Sequence, residues 1–207
     1  IALCKETIAA MNQGAAAYNA AYEKLAARVD LDSFMEYMAL GLYVCNTDWP
    51  HNNVKLYRYT GAVVEGNPIT DGKWRFMTRD MDMAMARYSS PEVLPELDSR
   101  VSVDPFWRVL GNYVDGYDSL YRDGGETKLY ADALYLQGLF AFCLKNKDFR
   151  DAFAAYAVSL ASDEAVAAME DAYDTAAAQV RGGVVAHIKR WQNKLPDGYS
   201  AVTWRSS

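Results

Sequence analysis

The chain has 207 residues, 51% hydrophobic and 23% charged, with a formal net charge of −6, the profile of a globular protein with room for a real core. No Lys/Arg stripe exists to neutralise a phosphate backbone, which excludes a nucleic-acid partner but not a nucleotide that arrives with divalent cations. No run approaches the roughly 18 apolar residues of a membrane helix. Cys4, Cys45 and Cys143 are odd in number and lack metal-ligand spacing, so they read as buried free thiols.

Residues 1–29 are Ala-rich, with Leu3, Ile8 and Met11 and then Ala17, Ala21 and Leu25 at helical spacing, and Gly14 separates two expected helices. Asp30 and Asp32 precede Phe34, and Ser33 with Glu36 has the spacing of a capping box. The next helix is therefore expected from about residue 33 to 45, with Phe34, Met38, Leu42 and Cys45 on one face. It stops before Pro50, which cannot continue it.

The period then changes from helical to alternating. Residues 54–59 and 73–78 alternate apolar with basic or polar positions, and Gly61, Gly66, Asn67-Pro68 and Asp71-Gly72 supply turn chemistry between them. An antiparallel hairpin with a long connection is expected, with Tyr57, Tyr59 and Trp74 packing across it. Met77, Met81, Met83 and Met85 alternate as an apolar wall. A loop-like stretch from about 83 to 103 and a short helical piece near 105–111 follow. After Gly125 four helices are expected, roughly 130–145, 147–161, 163–180 and 184–193, with Asp163 capping the third and His187 on a helix surface.

The residues able to do chemistry lie before that helical body. Asp48 and Asn53 stand five positions apart between a helix and a strand, and Asp80 and Asp82 follow the second strand. Pairing 54–59 with 73–78 sets Asn53 opposite residue 79, and strands lie about 4.8 Å apart, so Asn53 and Asp80 are expected to be neighbours. Carboxylate and carboxamide oxygens are hard ligands suited to magnesium or manganese. Protein kinases use the same offset: an Asp accepts the substrate proton, an Asn five residues on binds metal, and an Asp after the following hairpin binds metal again. The His-Arg that precedes the catalytic Asp in a conventional eukaryotic kinase is replaced here by Asn46-Thr47, and no Phe-Gly follows Asp80. Arg79 is a candidate phosphate contact or an ion-pair partner of Asp80, and His51 a candidate accessory group.

Three blocks, residues 29–37, residues 46–58 and Gly72-Lys73-Trp74-Arg75-Phe76 with Asp80-Met81-Asp82, resemble the central part of the CotH (spore coat protein H) kinase family in order and spacing. Residues 186–191, ending in Arg190-Trp191, resemble its late helix. The resemblance implies an α+β, mostly α fold like the C-terminal lobe of a protein kinase, with a helical body and a small hairpin carrying the metal and phosphate residues. It implies phosphate transfer from ATP, with Mg or Mn, to Ser/Thr of partner proteins such as coat or surface proteins. Asp48 becomes the base, Asn53, Asp80 and Asp82 the metal ligands. A secreted, cell-surface or spore-coat location is inherited in the same way. The expected organisation is one domain over 1–207, with the catalytic and metal loops in 29–88 and the helical body in 126–195. The chain begins at Ile1 with no initiator Met or signal peptide. It reads as a piece that starts after the nucleotide-clamping lobe, and so as inactive alone. The rivals are a non-catalytic scaffold that keeps the fold and, less favoured, a glycosyltransferase fragment using Asp80 and Asp82.

Overall fold

Ala-rich sequence of high helix propensity forms α1 (Ala2–Ala10) and α2 (Ala15–Ala26). Gly14 between them takes φ +95°, which an L side chain rarely adopts. The structure, a computed structural model, describes residues 2–46, 49–50, 53–82, 84, 105–110 and 133–191. The chain divides into two compact units, residues 1–158 and 159–207.

In the first unit α1 packs against α2 and against α5 (Ala133–Leu144). The Tyr18 hydroxyl of α2 donates to the Phe142 carbonyl of α5 at 3.1 Å. The third helix, α3 (Leu31–Tyr43), runs through the core. Phe34 on α3 is fully buried, its ring centroid 4.8 Å from Phe76 of the hairpin and 6.3 Å from both Phe140 of α5 and Phe149 of α6 (Lys147–Leu160). The short α4 (Pro105–Leu110) lies against α3 and α5. Cys143 is buried as expected, which pushes its thiol far above the ordinary range, whereas Cys4 and Cys45 are only half-buried.

The hairpin is antiparallel, as its alternation predicts, but shorter: β1 (Lys55–Tyr57) pairs with β2 (Arg75–Met77) in the register Lys55↔Met77. Tyr57, Tyr59, Trp74 and Met77 are all exposed rather than packed, and Trp74 lies under the Arg58 guanidinium at 5.1 Å. What holds so small a sheet is its attachment to α3. Asp30 N–H donates to the Trp74 carbonyl, and Trp74 N–H to the Arg28 carbonyl, both at 2.9 Å. The Phe76 N–H donates to the Ser33 hydroxyl at 3.1 Å.

Ser33 therefore does not open a capping box. Asp30 caps α3, accepting from the Ser33 N–H at 3.0 Å, so the helix starts at Leu31, two residues earlier than expected. Arg75, 5% exposed, completes the joint. Its guanidinium makes a two-pronged contact with Asp71 at 2.8 and 3.1 Å, reaches Asp30 at 2.9 Å and donates to the Pro68 carbonyl at 2.7 Å. The neighbouring guanidinium and the Lys73 N–H hold the Asp71 carboxyl below its usual pKa of 3.8.

In the second unit a single helix, α7 (Asp163–Trp191), replaces the two expected there. It runs through Gly182-Gly183, because good helix formers on both sides carry the hydrogen-bond ladder across two glycines that cost helix stability without breaking it. Its cap is Ser162, whose hydroxyl accepts from the Ala165 N–H at 3.2 Å, and Asp163 is the first helical residue. His187 is exposed, as expected.

A Cβ at Gly182 or Gly183 would meet nothing within 4 Å. Gly182→Ala and Gly183→Ala should each stabilise α7 by about 0.5–1 kcal/mol in urea unfolding, and a loss of stability would show that the glycines serve a contact. Asp71 supplies a second prediction. Because its folded pKa is depressed, the Arg75 clamp contributes above pH about 3.8 and is lost as the pH falls through the folded value. The gap in urea midpoint between the natural chain and Asp71→Asn should be full near neutral pH and close as the pH falls below the depressed folded pKa.

Candidate functional site

Helix α3 ends beside the hairpin's open end, and its ending is built without glycine. Cys45 takes φ +46°, its N–H donating to the Leu42 carbonyl at 3.0 Å and the Asn46 N–H to the Gly41 carbonyl at 3.2 Å. This is a Schellman closure with a cysteine in the left-handed position where glycine is usual. The helix thus stops at Tyr43, well before Pro50, and turns the chain into the loop that carries Asp48.

Asp48 itself, and His51, lie outside the described residues. The residue next to Asp48 is anchored firmly. Trp49 is 4% exposed, and its indole N–H donates to the Tyr37 hydroxyl at 2.8 Å. Burial pushes the Tyr37 phenol up to about 12, so it stays protonated at neutral pH, while the Trp49 hydrogen bond opposes that shift. The indole lies flat on Gly41: a Cβ there would come within 2.8 Å of its ring carbons. Gly41, Cys45, Asn46, Trp49, Pro105 and Val109 line a small cleft of about 10 Å³, room for a water and far too little for a nucleotide.

Two of the predicted metal ligands flank the hairpin. The ladder ends at Lys55↔Met77, so Asn53 stands two residues before it and Asp80 three residues after it. Asn53 is half-buried with φ +60°, and Asp80 is exposed with φ +54°. Both are left-handed, a conformation that costs most residues energy and that Asn and Asp tolerate best after Gly. Arg79 is exposed, and Asp82 sits exposed in a turn closed by the Ala84 N–H on the Met81 carbonyl at 3.0 Å. Met83 and Met85 of the predicted apolar wall lie outside the described residues, and Met81 is half-buried.

Beyond the end of α3, the Asn46 carboxamide, 3% exposed, donates to the Met81 sulfur of the acidic segment at 3.4 Å. Among the described residues no group of three His, Cys, Asp or Glu side chains is gathered as a metal cage. The oxygen donors present, an amide and a carboxylate at the two ends of a hairpin, suit a cation that keeps most of its contacts to phosphate and water.

The family described as CotH kinase protein matches residues 4–205, nearly the whole sequence. The chain belongs to the CotH kinase family. No curated protein and no solved structure matches it. CotH membership gives a kinase-like function and, in general terms, the use of nucleotide and metal. Among the described residues no helix is long and apolar enough to cross a membrane.

Gly41, Tyr37, Cys45 and Asn46 escaped the sequence reading as parts of the site. The single available signal was Gly41 inside an otherwise strong helix former, since a mid-helix glycine implies a close neighbour. The left-handed pair gives a test of whether Asp80 is kept for its carboxylate. Asp80→Gly should leave thermal stability unchanged or raise it by up to about 1 kcal/mol, while Mn²⁺ binding in the presence of ATP is lost. A destabilised Asp80→Gly that still binds Mn²⁺ would make Asp80 structural.

Proposed function

We propose that this chain is the phosphoryl-transfer region of a CotH kinase, an atypical protein kinase that moves the γ-phosphoryl group of ATP to Ser or Thr of a coat or surface protein. The observation that supports the reading is that Asn53, just before β1, and Asp80, just after β2, both take left-handed backbone at the ends of an antiparallel hairpin. Strained polar residues of this kind gather at functional sites because the fold must hold them there.

In this reading Asp48 accepts the proton of the attacking hydroxyl. The new P–O bond forms to that oxygen as the bond to the β-phosphate bridging oxygen breaks, and ADP departs with the bridging oxygen. Asn53, Asp80 and Asp82 would hold Mg²⁺ or Mn²⁺, which would supply neutralisation of charge on the phosphates. Arg79 and His51 are accessory, Arg79 toward phosphate. Trp49 keeps the base at its place by burying its neighbour, so positioning rather than covalent chemistry supplies the rate. The kinase-lobe likeness of the helical body and hairpin, and a secreted, surface or spore-coat setting, belong to the same reading.

In the full-length protein, Mg²⁺- or Mn²⁺-dependent transfer from labelled ATP to a coat-protein acceptor should fall by a factor of about 10² or more in Asp48→Ala and in Asp80→Ala. Equal, metal-independent behaviour of all three proteins would instead support a scaffold that retains the fold. Preference for a sugar nucleotide over ATP would move the assignment to glycosyl transfer.

A further inference from the structure

We infer that Asn46 is a positioning residue that holds the Asp80–Asp82 segment against the end of α3, through its hydrogen bond to the Met81 sulfur. The consequence for catalysis rests on the kinase reading above; the mechanical tie does not.

The geometry argues for a tie rather than an incidental contact. Asn46 is 3% exposed, and its backbone is fixed by the Schellman closure of α3 through the Gly41 carbonyl. Its side chain therefore leaves a rigid helix end. Met81 stands between the two candidate carboxylates, on a segment that has left the β-ladder after Met77 and is exposed at Thr78, Arg79, Asp80 and Asp82. Among these residues Met81 alone turns inward, and it meets Asn46 at 3.4 Å. Asp80 sits in left-handed backbone immediately before it. A left-handed aspartate on an exposed segment keeps that shape only when its neighbours are held. The thioether is a weak acceptor, so the contact sets position more than it adds stability. That suits a joint that aligns a segment whose productive geometry tolerates errors of well under an ångström.

The test uses Asn46→Ala and Met81→Leu, the second preserving apolar bulk while removing the acceptor. Amide hydrogen exchange of the chain should speed up by about tenfold across residues 78–82 in both variants, with the urea midpoint changed little in Met81→Leu. In the full-length protein kcat should fall by about tenfold, with KM for ATP within about twofold. Unchanged exchange at 78–82 in Met81→Leu overturns the tie whatever the activity. Faster exchange in a protein whose natural form neither binds Mn²⁺–ATP nor transfers phosphate upholds the tie and overturns the kinase reading instead. Faster exchange together with an unaltered kcat overturns the positioning role.

Discussion

The Arg75 guanidinium is taken out of water where the hairpin meets the start of α3, a burial that is tolerable only because its donors are met on several sides. Asp71 and the Pro68 carbonyl come from the hairpin connection, and Asp30 from the helix cap. Asp30 thus serves two structures at once, capping α3 through the Ser33 N–H and neutralising the strand's arginine. A two-stranded hairpin of three-residue strands is not stable alone. Fastened at Arg75 and again at Ser33, it becomes an extension of the helix, and its open end is carried to a fixed place beside the helix's far end.

Backbone strain collects just outside these elements. Cys45, Asn53 and Asp80 are the non-glycine residues with positive φ among those described, and they follow α3, precede β1 and follow β2. Each costs energy that a glycine would largely avoid. Cys45 is accounted for by the turn it makes, with its hydrogen bonds to the end of α3. The strain is affordable only on a rigid base, and the Phe34, Phe76, Phe140 and Phe149 cluster under α3 is that base.

The local part of this design was legible in the sequence. Alternation gave the hairpin and its register, and Gly14 gave the break between α1 and α2. What stayed hidden depends on partners distant in sequence. Ser33 looked like a cap until Phe76, forty-three residues on, was seen to use its hydroxyl. Tyr57 and Tyr59 read as cross-strand packing residues because alternation cannot say whether a face is covered, and here it is exposed. Gly182-Gly183 looked like a break because punctuation by glycine is a statistical cue, and a long ladder on both sides overrides it. Asp48 and His51 lie outside the described residues, so their part of the site rests on Trp49 and Asn46 beside them.

Those two neighbours explain how a site with so few ligands can be held. Trp49 is pinned by Tyr37 and by the bare surface of Gly41, so the loop cannot slide along α3. Asn46, three positions earlier, reaches the other way to Met81. One anchor sets Trp49 against the last two turns of α3, and the other sets the acidic segment against the residue that closes the helix. A cation that gathers most of its coordination from phosphate and water needs few protein oxygens, but it needs them at fixed separations. In the proposed kinase reading, that need would be met by segments built outward from one buried helix.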